Sequence, residues 1–212
     1  MKQVHKVIMT LTLTVVLVLG LVGCGKTIGD MDVDAGESAI YIQEDGKVTY
    51  AVSEKFDKDY YDEDSLEDAI NQEVEDYNAS GNASIKNAIA VDTFKVKSDI
   101  ATVVLEFATA YDFLKYVHNY NNVENDKFYI GQISDNTGCK IEGEFVSADK
   151  KETVTEKEIK EMEDTNILIV NEKYKVQLDE DIKYISANCT IDEDGIITTA
   201  KAEDGLSYIV YE

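Results

Sequence analysis

Oxygen ligands dominate the residues that could do chemistry. The stretch Phe56-Asp57-Lys58-Asp59-Tyr60-Tyr61-Asp62-Glu63-Asp64 places Asp57, Asp59, Asp62, Asp64 and Glu63 close together, a density of hard donors suited to Ca2+. The competing reading is electrostatic. Asp62, Glu63 and Asp64 precede a helix expected to open at Ser65, where their charge meets the positive end of the helix dipole. Asp192-Glu193-Asp194-Gly195 imitates the centre of an EF-hand loop, but Thr190 stands at the first ligand position and Lys201 at the twelfth, so both end carboxylates are missing. A carboxylate pair could hydrolyse a polysaccharide. With 43 Asp and Glu in the chain, chance pairs are inevitable and no catalytic residue is assigned.

Two cysteines, Cys139 and Cys189, lie well inside the chain. A disulfide between them would close a loop of roughly 50 residues and stabilise the fold by about 4 kcal/mol in the chain-entropy account. The alternative is two independent buried thiols, Cys139 in a loop and Cys189 on a strand, and spacing alone leaves both open. His118, on the polar flank of an expected helix, reads as a structural or solvated imidazole. Thirteen tyrosines add aromatic surface. Tyr60 and Tyr61 could anchor a sugar or protein contact if exposed, whereas the helical spacing of Tyr116 and Tyr120 suits the rim of a core.

The elements that must position these groups are legible from periodicity. Ala39 to Gln43 and Lys47 to Val52 flank Asp45-Gly46 as a hairpin. Ser65 and Asp68 open a first helix with Leu66, Ala69, Ile70, Val74 and Tyr77 on one stripe, ended by Gly81. Ile85 to Val96 and Ile100 to Ala108 are extended, turning at Lys97-Ser98-Asp99. Thr109 and Asp112 cap a second helix carrying Ala110, Phe113, Leu114 and Val117. Phe128 to Ile133 is extended again, so residues 38–134 read ββαββαβ. After a loop at 135–138, residues 135–212 are strand-rich and expected to pack with the first half, with a short helix from Thr155 to about Glu163. Strands are expected over Ile141 to Ser147, Asn166 to Val170, Tyr174 to Leu178, Lys183 to Thr190, Ile196 to Ala200 and Ser207 to Tyr211. Hairpins without regular βα alternation predict an α+β fold with largely antiparallel sheet, two main helices and one short one.

Composition excludes several functions. The chain has 212 residues and a formal charge of −23, and all 20 of its Lys+Arg are Lys; Arg, Pro and Trp are absent. So negative a chain, without guanidinium groups, does not suit a phosphate backbone, and no nucleic-acid partner is expected. A polybasic membrane patch is excluded too.

The N-terminus carries the most specific pattern. Lys2 and Lys6 precede Val7 to Gly23, a run without ionisable groups, and the run ends Leu21-Val22-Gly23-Cys24. Charged region, apolar run, small residue and Cys in this order resemble the lipobox of bacterial lipoprotein signal peptides. The resemblance implies cleavage before Cys24, diacylation of its thiol by chains such as palmitate, and anchoring at the outer face of the cytoplasmic membrane. The alternative is an uncleaved anchor at the lower edge of spanning length. Residues 1–23 are thus expected to be signal peptide and 24–37 the lipidated Cys with a flexible tether. Cleavage would remove two Lys and no acid, taking the charge from −23 to −25.

Gly20 to Thr27 also satisfies the P-loop pattern. The next residues, IGDMDVDAGES, have no helical period to present an N-terminus to phosphates, and cleavage would remove Gly20, so no nucleotide partner is expected. The body, from Asp45-Gly46-Lys47-Val48 through Glu54-Lys55-Phe56-Asp57 and Tyr60-Tyr61-Asp62 to Asp76-Tyr77-Asn78, resembles small acidic lipoproteins of Gram-positive anaerobes. That resemblance implies an envelope location and no activity. The expectation is a non-catalytic binding or interaction module of the cell envelope, with a protein or wall polymer as partner and no cofactor beyond the Ca2+ weighed above. A secreted wall hydrolase is the alternative. A solute-binding lipoprotein of a transporter is a third reading, disfavoured by length and by the missing βα alternation.

Overall fold

The computed structural model describes residues 27–212. The signal peptide, Cys24 and all but the last residue of the P-loop pattern lie outside the described residues. In chain order the elements are β1 (Glu37–Ile42), β2 (Val48–Lys55), α1 (Glu63–Ala79), β3 (Ile89–Lys97), β4 (Ile100–Phe107), α2 (Ala110–Asn119), β5 (Phe128–Gln132), β6 (Glu144–Ser147), β7 (Thr153–Thr155), α3 (Glu156–Lys160), β8 (Asn166–Val170), β9 (Lys175–Leu178), β10 (Ile182–Ser186), β11 (Thr190–Ile191), β12 (Ile197–Thr198) and β13 (Ser207–Tyr211). The fold is α+β, with two long helices and one short one, as the periodicity predicts.

The strands form two sheets. One runs β11-β12-β9-β1-β2-β4-β3 and the other β5-β8-β13-β10-β6-β7. Pairing is antiparallel except between β1 and β9. Local chemistry sets the tight connections. Ser98 and Asp99 both adopt positive φ (54° and 60°) between β3 and β4, the backbone that matches the right-handed strand twist in a two-residue hairpin loop. Gly46 (φ 83°) does the same work between β1 and β2. The Thr109 hydroxyl accepts the Asp112 N–H at the start of α2, and Thr155 with Glu158 forms a reciprocal capping box on α3.

Strand alternation sorts the apolar side chains into three layers. Ile40 and Ile42 of β1 face a central core with Leu105, Phe107, Leu168, Val170 and Ile209, into which α1 inserts Tyr77 and α2 inserts Phe113, Tyr116 and Val117. Ile167 and Ile169 face the opposite side of their sheet, packing with Phe145, Tyr208 and Ile159 of α3. Ala39, Ala51 and Val104 face away from the central core of theirs.

Three expectations need correction. Residues 27–37 are not a flexible tether: Ile28, Met31 and Val33 are buried over Ala39, Ala51 and Val104, because that sheet face is apolar and would otherwise meet water. Residues 38–134 and 135–212 pack together, as expected. β9 joins the sheet of β1 and β2, β5 joins that of β8 and β13, and one core spans both sheets. The first helix opens earlier than Ser65, at Glu63, with Asp62 as its cap. The extended run from Lys183 ends at Ser186 and resumes at Thr190, β3 starts only at Ile89 because the chain turns before it with Asn87 at φ 57°, and the three-residue β7 is too short to show a period. No described helix is long and apolar enough to cross a membrane.

Candidate functional site

The segment leaving β2 for α1 carries the candidate site. Its start is fixed by a backbone bond from the Phe56 N–H to the Asp99 carbonyl at 2.7 Å, which ties it to the β3–β4 turn. A turn comes next, with the Tyr61 N–H donating to the Lys58 carbonyl at 2.9 Å. This turn brings the rings of Phe56 and Tyr61 into a stack 4.8 Å apart and sets Tyr60 edge-on to Tyr61 at 5.0 Å. Tyr60 remains 77% exposed. Aromatic groups of that size usually leave water on folding. Here the short turn holds three rings together at the surface.

The carboxylates around the rings are already committed in part. Asp57 pairs with Lys58 at 2.9 Å, and that ammonium holds its carboxyl below the usual range. Asp62 accepts the Ser65 N–H at 2.8 Å, and these hydrogen bonds lower its pKa as well. Asp59 and Asp64 are exposed. The structure therefore does not gather Asp57, Asp59, Asp62 and Asp64 around one point, and among the described residues no three His, Cys, Asp or Glu side chains converge as a metal would require. In the EF-hand-like stretch, Asp192 accepts the N–H groups of Asp194 and Ile196 at 3.0 and 2.9 Å. That carboxylate closes a turn.

The other singled-out residues are structural. Cys139 and Cys189 are both buried free thiols. Cys139 sits in the outer core of α3, its thiol donating to the Asn125 carbonyl at 3.5 Å, and burial pushes it up to about 11. Cys189 belongs to the central core beside the Ser186 hydroxyl at 3.3 Å. Nδ1 of His118 lies 2.8 Å from the Val123 carbonyl, bracing the exit from α2. Tyr116 and Tyr120 stack on one another at 5.4 Å and meet Tyr77 edge-on or tilted, forming a core rim between α1 and α2. The Tyr116 hydroxyl donates to Glu73.

The surface also carries two depressions. One, of about 590 Å3, is lined by Lys173, Asn188, Thr199, Ala200, Lys201, Glu203 and Asp204. The other, of about 460 Å3, is lined by Gln43, Glu44, Asp45 and Asp179. Its acids are engaged: Asp179 accepts the Tyr41 hydroxyl at 2.6 Å and the Glu44 N–H at 3.3 Å, and Asp45 pairs with Lys47 at 2.6 Å. The bond to Asp179 pushes the Tyr41 hydroxyl up to about 12. Sequence reading had no signal for this site, since Asp179 and Glu44 are distant in the chain and meet only through the β1–β9 pair. Set against known proteins, the chain matches no family model, no curated protein and no solved structure.

Proposed function

We propose that this chain is a lipid-anchored extracytoplasmic lipoprotein whose folded body is a non-catalytic binding module of the cell envelope. The lipobox-like run Leu21-Val22-Gly23-Cys24 supports the anchor. Among the described residues the observation that carries the binding role is the exposed Tyr60 ring held by the half-buried rings of Phe56 and Tyr61, because surface aromatics held rigid by one another present contact area at little cost in side-chain order. Hydrolysis would need two carboxylates facing one another across a cleft. In the acidic depression Asp179 and Asp45 instead hold hydrogen bonds and an ion pair.

The anchor is tested by the intact mass of protein taken from the membrane fraction, before and after reduction. The expected mass is that of residues 24–212 plus diacylglyceryl, unchanged by reductant because both remaining thiols are free; an unmodified full-length mass would overturn the anchor. Binding is tested by sedimenting the soluble body with purified insoluble cell wall and by cross-linking it on intact cells. Tyr60→Ala is expected to weaken retention at least about tenfold, the loss of one aromatic anchor. Equal retention of the variant and the parent would remove the ring cluster as the contact.

A further inference from the structure

We infer that the exposed side of residues 27–34 is held directly against the lipid headgroups, so that the body stands on the membrane in one fixed orientation. This rests on the anchoring of Cys24 proposed above. The described fold begins at Thr27. Ile28 and Met31 are 4% and 1% exposed, and Val33 is 8% exposed. The Thr27 N–H donates to the Met31 carbonyl at 2.8 Å, and the Val33 N–H donates to the Thr27 hydroxyl at 3.3 Å. The segment is also tied to β9: Gln177 accepts the Asp30 N–H at 2.7 Å and Lys175 donates to the Asp32 carbonyl at 2.9 Å.

Only Gly25 and Lys26 separate Cys24 from Thr27. Three peptide units reach at most about 10 Å, close to the Debye length of about 8 Å at physiological salt. A body fastened this way cannot withdraw from the interface. The side turned towards the lipid is the outer skin of the β1 sheet, carrying the exposed Asp30, Asp32 and Asp34. Its acidity gives it no affinity for anionic lipid, so covalent attachment and the docked segment impose the contact. The α3 layer, on the outer face of the other sheet, points away.

The test uses the lipidated full chain in phosphatidylcholine vesicles containing a nickel-chelating lipid. Nitroxides are placed at Asp32→Cys or, on α3, at Lys157→Cys, and the unsubstituted protein, whose internal thiols are buried, supplies the background. Relaxation by the headgroup nickel is expected to be several-fold stronger at position 32 than at 157. Inserting roughly 15 Gly/Ser residues between Lys26 and Thr27, with a span of about 20 Å, is expected to erase the difference. Equal relaxation at the two positions in protein whose mass shows the diacylglyceryl group would overturn the fixed orientation while leaving the anchor intact. Absence of that group from the mass would instead remove the anchor, and this inference with it.

Discussion

The carboxylate of Asp112 and the hydroxyl of Tyr77 meet at 3.1 Å in the interior. Asp112 is fully buried, and its oxygens also accept the Ser84 N–H at 2.9 Å, the Ser84 hydroxyl at 2.5 Å and the Thr109 hydroxyl at 2.6 Å. One charge thus ties α1, the loop after it and the cap of α2 together. A buried carboxylate persists only when its lone pairs are satisfied.

Asp112→Ala removes the acceptor of the buried Tyr77 hydroxyl and of the Ser84 and Thr109 donors and is expected to destabilise the fold by about 2 kcal/mol. Urea denaturation followed by circular dichroism measures it. A loss below about 1 kcal/mol would show that water satisfies the same donors.

Asp62 and Ser65 separate the two possible starts of α1. With Asp62 as cap, Asp62→Ala should cost about 1 kcal/mol, whereas Ser65→Ala, which keeps the backbone N–H that donates, should stay within about 0.5 kcal/mol. The reverse order in thermal melts would restore Ser65 as the opening residue.

Met31 tests the docking of the N-terminal segment. Truncating this buried side chain to Ala should cost about 2 kcal/mol or more, while the same change in a flexible tether would be neutral. Chemical denaturation of the soluble body decides between the two.

Alkali should unfold the protein through its interior hydroxyls. The rings of Tyr50 and Tyr174 pack edge-on with centroids 6.4 Å apart; burial pushes the Tyr50 hydroxyl up to about 12 and that of Tyr174 well above its ordinary value. Each keeps its proton to higher pH when folded, so this stabilisation is complete below about pH 10 and is lost as pH rises towards the folded values. At about pH 11 both groups lower the stability relative to neutral pH, because the unfolded chain ionises first. Urea midpoints at pH 8 and about pH 11 are expected to differ accordingly, with tyrosinate absorbance appearing together with unfolding. An unchanged midpoint would contradict it.

What the sequence determined by itself is local. Strand alternation, the helical stripe containing Val74 and Tyr77, the Thr109 and Thr155 caps and the turns at Gly46 and 98–99 depend on residues a few positions apart, so pattern reveals them; the strands 166–170 and 207–211 fall where it placed them. The lipobox-like run is equally local. Only the tertiary structure decided that β9 lies parallel to β1, that Asp179 thereby meets Tyr41, and that four donors converge on Asp112. It alone showed Ile28, Met31 and Val33 as a cover for the β1 sheet, since three apolar residues among Gly and Asp carry no period. Which apolar face covers which is fixed by burial summed over the whole chain, and short-range pattern does not encode that sum.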